Sequence, residues 1–109
     1  MLNIVAMFLK LLFGHCLADY PLQGDFLSKA KNHRQPITGV PWFQALFAHA
    51  VIQGGTVGFI TGSVICGCVE FVLHSLIDYL KSDGRLSFNQ DQAAHIACKF
   101  IYACCLIIL

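Results

Sequence analysis

Apolar runs long enough to cross a lipid bilayer dominate the 109-residue chain. A helix rises about 1.5 Å per residue, so a hydrocarbon layer roughly 30 Å thick requires about 20 apolar residues. Four segments reach this length, and 57% of the residues are hydrophobic whereas 12% are charged. Backbone groups inside lipid must bond to one another, which favours helices for these segments. We expect an all-α fold, an integral membrane four-helix bundle.

The residues that bound each apolar run define one transmembrane domain, 1–109, with spans at about 2–20, 42–60, 62–80 and 90–109. Pro21 ends the first span, because proline disfavours helix at the preceding residue. Trp42 begins the second as an interfacial anchor. Ser87 and Gln90 have the spacing of a capping box at the start of the fourth. The first run lacks a basic start and a small-residue cleavage motif, so we interpret it as a retained helix and not a signal peptide.

The segments between the spans also carry local signals. Part of the polar stretch 21–41, GDFLSKAKNH, is predicted to form amphipathic turns on the membrane surface. The stretch Thr61-Gly62-Ser63 is short enough only for a tight hairpin. Small residues near it would let the second and third helices approach closely; they are Gly54, Gly55, Gly58, Gly62 and Gly67. The six cysteines lie in apolar runs and are expected to pack, not to form disulfides.

Basic residues predict the orientation, because short cytoplasmic loops carry an excess of Lys and Arg. The two polar loops, which lie on one side of the predicted bundle, hold Lys29, Lys31, Arg34, Lys81 and Arg85. The opposite side holds none of these loop cations. We therefore expect both termini to be periplasmic. A net charge of +1 without a basic cluster argues against a nucleic-acid partner.

One histidine per span is predicted to lie at a common depth. Counted from the cytoplasmic ends, each lies roughly 7–10 Å below the boundary; the four are His15, His49, His74 and His95. Three of them have an acid four residues away, a spacing that places both side chains on one helix face. These pairs are His15 with Asp19, His74 with Asp78, and Asp91 with His95. The pattern predicts a converging polar layer inside the bundle.

Imidazole and carboxylate groups together are the usual ligands of zinc and of other first-row divalent ions. Facing helices of a bundle can build such a site in their core. We therefore predict a divalent metal site, zinc above all, with His15, Asp19, His49, His74, Asp78, Asp91 and His95 as ligands. Asp19, Asp78 and Asp91 are also candidates for the catalytic base. The alternative is that the same pairs hydrogen-bond across helices and only fix their packing.

Four more polar residues are expected to support this layer, namely Gln23, Glu70, Gln92 and Lys99. Glu70 and Lys99 each lie one turn deeper than a histidine of the layer, where an unpaired charge costs several kcal/mol. We predict that they pair. Lys10 faces away from this layer and either reaches a second subunit or extends toward the membrane surface. His33 is interpreted as a surface residue.

Two motifs carry a family resemblance. They are H-x-x-x-D-[FY]-x-x-Q, found at 15–23, and D-Q-x-x-H, found at 91–95. With Lys31, His49 and the His74-x-x-x-Asp78-Tyr79 stretch, they resemble the bacterial and phage membrane family called domain of unknown function 3307. The resemblance covers nearly the whole chain and implies a place in the bacterial inner membrane. A more distant similarity is to inner-membrane metal-dependent hydrolases, which also place His and Asp on membrane helices.

Two hypotheses follow for the function. The first is a membrane-embedded, metal-dependent hydrolase that acts on a phosphoester or other lipid-linked ester at the cytoplasmic leaflet, where the basic loops would attract anionic headgroups of membrane lipid. The second is a non-catalytic phage or bacterial membrane factor. It would form a homo-oligomer, bind a host membrane protein, or provide a pathway for ions or protons. Metal content after purification discriminates between the two.

Overall fold

The computed structural model describes residues 2–108, and all the regular structure in that range is helical. The helices are α1 (Leu2–Asp19), α2 (Gly24–Ala30), α3 (Trp42–Thr61), α4 (Val64–Ser82) and α5 (Phe88–Ile108). The predicted all-α class is confirmed. Each of the four predicted spans corresponds to one long helix, with ends that differ by two residues or fewer.

Local signals set the helix ends. Gly62 closes α3 with a φ of 71°, a left-handed conformation that favours glycine. Ser63 then begins α4, where its hydroxyl accepts a hydrogen bond from the Cys66 backbone N–H at 3.2 Å. At the start of α5, the Gln90 N–H donates to the Ser87 hydroxyl at 3.1 Å and the Ser87 N–H donates to the Gln90 side chain at 2.9 Å. This reciprocal pair confirms the predicted capping box.

The short helix α2 turns the chain sideways after α1. Its axis is bent by 83° from that of α1, and it packs against α3. Ala30 is buried, whereas Phe26 is 59% exposed and Leu22, just before the helix, is 52% exposed. The amphipathic turns predicted for this stretch are therefore present as one short helix with an apolar outer side.

The four long helices form a ring in which α3 packs against α1 and α4, and α5 packs against α1 and α4. The closest approach is between α3 and α4. A Cβ atom added at Gly67 would lie 2.8 Å from the Gly54 carbonyl oxygen, and one added at Gly54 would lie 2.7 Å from the Gly67 carbonyl oxygen. The prediction that glycines let these two helices approach is confirmed for Gly54, Gly58 and Gly67, whereas an added Cβ at Gly55 or Gly62 would have nothing within 4 Å. All six cysteines are free.

The distribution of side chains is the reverse of that in a water-soluble protein: many polar side chains are buried and many large apolar ones are exposed. Among the eight largest fully buried side chains, only Leu11 is apolar. The others are His15, His49, Gln53, Glu70, His74, His95 and Lys99. Large apolar side chains instead lie outside, with Phe59 90% and Val64 80% exposed. Such a surface is unfavourable in water and suited to lipid.

Two helices, α3 and α5, are long and apolar enough to cross a membrane. The helix α1 meets the same criterion only when it is joined to α2 across the 83° bend. The helix α4 does not meet it, since it contains Glu70, Asp78 and Lys81. By length and composition alone, two of the four predicted spans are thus candidates for crossing a membrane.

Candidate metal centre

Four histidines from four helices meet at the end of the bundle that carries the polar loops. His15, His49, His74 and His95 are each at most 1% exposed. The ring centre of His74 lies 3.9 Å from that of His95, 4.9 Å from that of His49 and 6.2 Å from that of His15. The four imidazoles predicted at a common depth therefore lie in one layer, with His74 in the middle.

His74 is oriented by Glu70, which lies one turn before it on α4. The His74 Nδ1 atom is 3.0 Å from Glu70 Oε2. If Nδ1 carries the proton and donates to this carboxylate, Nε2 of the neutral ring keeps a lone pair. That Nε2 faces His49 Nε2 at 3.1 Å. A carboxylate behind one ring nitrogen is the support that metal-binding histidines commonly have.

Two carboxylates complete a set of four donor atoms with His49 and His74. His49 Nε2 lies 3.1 Å from Asp19 Oδ1 and 3.6 Å from Asp78 Oδ2. His74 Nε2 lies 3.9 Å and 3.4 Å from the same two oxygens. Zinc binds such atoms at roughly 2.0–2.1 Å, so two ligands of a tetrahedral site are about 3.3 Å apart. The donor types are those of a divalent ion, and the distances from the two imidazoles, 3.1 to 3.9 Å, are close to this spacing.

The donor residues form two groups of three, and the two groups share His74. His74, Asp78 and His95 bring their ligand atoms within 4.8 Å of one another, as do Asp19, His49 and His74. His95 Nε2 lies 3.0 Å from Asp78 Oδ1 and 3.3 Å from Asp91 Oδ1. Asp78 thus turns one oxygen toward His95 and the other toward the first set. The layer has donors enough for one or two ions.

His15 lies beside these groups and not within them. Its Nε2 is 3.1 Å from Gln92 Oε1 and 3.9 Å from Asp19 Oδ2. The Gln92 amide donates to Asp19 Oδ2 at 2.9 Å and to Asp91 Oδ2 at 3.2 Å. Gln23 donates to the backbone carbonyl of Asp19 at 3.0 Å. Of the seven predicted ligands, His15 and Asp91 therefore border the two groups, and both glutamines contact Asp19.

The floor of the layer is an ion pair. Lys99 Nζ lies 2.5 Å from Glu70 Oε2, and both side chains are almost completely buried. The pairing predicted for these two residues is confirmed. The Tyr102 hydroxyl donates to Glu70 Oε1 at 2.9 Å, so Glu70 accepts from Lys99, Tyr102 and His74. This network holds the carboxylate that orients His74.

Sequence reasoning missed three residues of the polar interior. Lys31 donates from the polar segment 21–41 to Asp78 Oδ2 at 2.8 Å. It was identified from the sequence as a loop cation and as part of the family pattern, but not as a residue of the interior. Gln53 is 0% exposed and its amide lies 3.4 Å from Asp19 Oδ1. Its spacing of four residues from His49 was the signal for it. Tyr102 follows Lys99 by three residues on α5, a spacing that also places two side chains on the same face of a helix.

The remaining histidine, His33, lies outside the layer. It stacks on Tyr79, with ring centres 4.0 Å apart, and its Nε2 is 3.2 Å from Asp83 Oδ1. Arg34 and Arg85 also bind Asp83, and hydrogen bonds from Arg34, Arg85 and His33 hold the pKa of that carboxyl well below its ordinary value. His33 was predicted to be a surface residue, and it does lie outside the layer, but its side chain is only 12% exposed because it packs on Tyr79 and pairs with Asp83.

An open cleft of about 350 Å³ leads from the polar loops to the layer. Asp19, Asp91 and Gln92 reach it from the layer, and Gln23, Ser28, Lys31 and Lys81 are among its other lining residues. Ligand sites in proteins have volumes of roughly 300–1,000 Å³. The cleft is therefore large enough for a small ligand and gives it access to two carboxylates of the site.

On the other side, the polar interior ends in apolar packing. Leu11, Val57, Tyr102 and Ala103 form a buried apolar cluster, with Ile60 and other partly buried residues packed against it. The hydrogen-bonded network stops at the Tyr102 hydroxyl and Lys99. Among the described residues, the layer is thus next to the cleft at the polar loops and is followed by apolar packing on the side of the α3–α4 hairpin.

Comparison with known proteins finds one family. A family model described as "Protein of unknown function (DUF3307)" matches residues 7–109. No curated protein and no solved structure matches the chain.

Proposed function

We propose that this chain, which belongs to the DUF3307 family, is a membrane-embedded, metal-dependent hydrolase. In this proposal, it is a four-helix bundle of the bacterial inner membrane that acts on a lipid-linked or phosphoester substrate at the cytoplasmic leaflet. One observation carries the proposal. Two buried groups of imidazoles and carboxylates share His74, and the ligand atoms of each group lie within 4.8 Å.

The membrane placement rests on the reversed distribution of side chains in the fold. The outer side chains of all four long helices include large apolar ones, such as Phe13 (70% exposed), Phe59 (90%), Val72 (60%) and Ile101 (56%). Two of the three charges of α4, Glu70 and Asp78, face inward and are at most 3% exposed, whereas Lys81 is exposed in the last turn of the helix. In this proposal the polar loops lie in the cytoplasm and both termini in the periplasm, and the positive charges of the loops support that orientation.

The metal, with zinc as the first candidate, would be held by Asp19, His49, His74 and Asp78, and His95 adds a further nitrogen at Asp78. When bound, such an ion lowers the pKa of a bound water toward neutrality and stabilises negative charge on the substrate. Asp91 reaches the cleft and is suited to act as the base. In the hydrolysis, the oxygen of water would bond to phosphorus or to the ester carbon as the ester bond breaks. The Asp91 carboxylate would take one proton from that water and return it to the leaving oxygen, which ends as a hydroxyl.

The metal site is tested by comparing His74→Ala with His33→Ala in detergent-purified protein. The two variants lose the same imidazole, but only His74 belongs to the polar layer. We expect the unaltered protein and His33→Ala to carry about one or two equivalents of a divalent metal by elemental analysis, and His74→Ala to lose it. Circular dichroism shows whether each variant keeps its helices. Full metal content in a folded His74→Ala variant would refute the site.

The hydrolase is tested by supplying labelled phospholipids and isoprenoid phosphates with Zn²⁺, Mn²⁺ or Mg²⁺. We expect release of a phosphate or acyl product that chelation abolishes and that Asp91→Asn lowers by about 10²-fold or more. A metal-loaded protein that releases no product from any of these substrates would retain the metal site and contradict the catalytic role.

A non-catalytic membrane factor is the second candidate, and one observation favours it. The polar contacts join helices in pairs: α3 to α1 through His49 and Asp19, α5 to α4 through His95 and Asp78, and α1 to α5 through His15 and Gln92. Such bonds can serve packing alone, in a protein that assembles with itself or with a host membrane protein. A folded protein that takes up no divalent metal would favour this candidate.

A further inference from the structure

We propose that the cleft beside the polar layer binds a phosphoester that carries a primary ammonium group, the phosphoethanolamine unit of a membrane lipid. The inference rests on the function and the membrane placement proposed above, and it names the substrate class of the same site. It is drawn from two kinds of cleft residue that can still form hydrogen bonds, namely lysines with free donors and buried side chains with free acceptors.

Lysines provide the first kind of capacity. Lys31 and Lys81 both line the cleft. The Lys31 ammonium has three donors, and Asp78 accepts from it at 2.8 Å, so donors remain for a second acceptor. Lys81 Nζ lies 5.5 Å from the centre of the Phe88 ring, another residue of the cleft wall. These two ammonium groups match the negative oxygens of a phosphate.

Unpartnered acceptors provide the second kind. Asp91 Oδ1 and Gln23 Oε1 are buried atoms of the cleft wall that accept no hydrogen bond from the residues the structure describes. Asp91 is 3% exposed. His95 Nε2 lies 3.3 Å from Asp91 Oδ1, but its shorter contact is to Asp78 Oδ1 at 3.0 Å. A buried acceptor without a donor is costly, and a ligand N–H would remove that cost.

The other acids of the cleft already have partners. Asp25 pairs with Lys29 at 3.0 Å on the exposed side of α2. Asp19 accepts from the Gln92 amide at 2.9 Å and lies 3.1 Å from His49. The groups left to bind a ligand in the cleft are therefore the remaining N–H donors of two lysines and two acceptor oxygens, one of which belongs to a carboxylate. A zwitterion with an ammonium and a phosphate complements this arrangement better than an anion alone.

The bend after α1 puts the cleft at the level of lipid headgroups. Leu22 and Phe26 expose apolar side chains on the outer side of this bend, where they can enter the acyl region. Gln23 and Ser28, which alternate with them along the chain, reach the cleft instead. A lipid in the cytoplasmic leaflet could thus bring its headgroup to the site while its chains stay in the bilayer.

The experiment compares three lipids that differ in the headgroup. Phosphatidylethanolamine carries phosphate and an N–H donor, phosphatidylcholine carries phosphate without one, and phosphatidylglycerol carries hydroxyl donors without a positive charge. Binding to the chelator-treated protein is measured by native mass spectrometry from detergent. We expect phosphatidylethanolamine to bind about tenfold more tightly than phosphatidylcholine. Equal binding of these two lipids, or a preference for phosphatidylglycerol, would overturn the proposal.

Variants then locate the preference. Lys81→Gln and Gln23→Leu should each reduce the preference for phosphatidylethanolamine by about fivefold or more. Arg85→Gln is the matched control for Lys81→Gln, because it removes the same charge four residues further along the chain, at a residue that contacts Asp83 and does not line the cleft. A preference that survives in both cleft variants would overturn the assignment to this cleft.

Soluble glycerophosphoethanolamine separates the two sources of this chemistry. If it competes with the lipid, the headgroup alone is recognised and the free phosphoester is also a ligand. If the preference among lipids persists without competition, the ligand is the membrane lipid. Metal titration is read separately. Metal uptake without lipid preference would overturn only this inference, whereas lipid preference without metal uptake would overturn only the proposed metal site.

Discussion

At the scale of single residues, Asp78 is the point at which the loops and the interior meet. It is 3% exposed. Oδ2 accepts from Lys31 at 2.8 Å and lies 3.4 Å from His74 Nε2, and Oδ1 lies 3.0 Å from His95 Nε2. Lys31 therefore provides a positive charge to the same oxygen that a metal ion would use. A cation is required at this carboxylate, because an uncompensated charge at such burial is strongly unfavourable.

The floor pair gives a stability prediction at the same scale. Lys99→Met leaves Glu70 buried without its cation, and we expect it to lower the free energy of unfolding by about 3–5 kcal/mol. The double variant Lys99→Met with Glu70→Gln should lose less, because the amide carries no charge and can still bond to Tyr102. Denaturant unfolding in mixed micelles, followed by circular dichroism, measures both.

Lys10→Met is the matched control for this prediction, since Lys10 is exposed on the outer face of α1. It should change stability by no more than about 0.5 kcal/mol. Equal losses in the single and double variants would show that the missing cation is not the cause.

Helical spacing was sufficient to predict most residues of the site. The i, i+4 pairs on α1, α4 and α5 give both the depth and the facing direction of a side chain, and His49 follows from depth alone. Lys31 could not be predicted, because its position depends on the path of an irregular loop. The position of His15 beside the donor groups was also not predicted, because helical spacing does not show that its Nε2 bonds to the Gln92 side chain.

At the scale of helices, the approach of α3 and α4 determines how far apart His49 and His74 lie, because one histidine comes from each. Gly54 and Gly67 face one another across this interface. Their backbones are so close that no side chain fits between them. The close approach at these glycines is thus consistent with the 3.1 Å between the two imidazoles, the distance on which the proposed metal site depends.

Gly67→Ala tests this coupling. Its Cβ would lie 2.8 Å from the Gly54 carbonyl oxygen, a backbone atom that cannot rotate away. We expect a loss of about 1–3 kcal/mol in stability and a weaker affinity for metal. Gly55→Ala is the control on α3, because nothing lies within 4 Å of its added Cβ. It should be neutral or stabilise the helix. If the metal affinity of Gly67→Ala is unchanged, the approach of α3 and α4 does not determine the affinity of the proposed site.

The loops give a pH prediction through Asp83, which joins the polar segment 21–41 to the start of the α4–α5 loop. Hydrogen bonds from Arg34, Arg85 and His33 lower its pKa below 3.8. A lowered pKa in the folded state adds stability above the ordinary pKa, and this contribution is lost as the pH falls through the lowered value. The protein should therefore be more stable than Asp83→Asn near neutral pH, and the difference should shrink in acid.

Melting temperatures of both proteins between about pH 2 and 7 measure this difference. A gap that stays constant down to the lowest pH would contradict the role of the carboxylate charge.

The helices themselves were more predictable than their membrane placement. Apolar length, Pro21, the hairpin glycine and the capping box gave the long helices to within two residues. The 83° turn into α2 followed less directly, since amphipathic turns in a sequence do not specify an angle. Composition alone cannot decide whether α4 crosses a membrane, because only the structure shows that Glu70 and Asp78 are buried while Lys81 is exposed.

At the scale of the whole molecule, the proposed topology places the polar loops in the cytoplasm and both termini in the periplasm. A reporter that works only in the periplasm should be active when fused after residue 109 and inactive when inserted at Gly84, which lies in the α4–α5 loop. The two fusions control for each other. The opposite pattern would invert the orientation and move the cleft to the outer leaflet.

The reversed distribution of side chains in the fold also has a calorimetric consequence. Exposure of apolar surface raises the heat capacity on unfolding, whereas exposure of polar groups lowers it. Separation of these helices within a micelle would wet imidazoles, carboxylates and an ammonium, while the phenylalanines and valines outside stay in contact with detergent. The heat-capacity step of this bundle should therefore be small or negative, and its stability should vary nearly linearly with temperature.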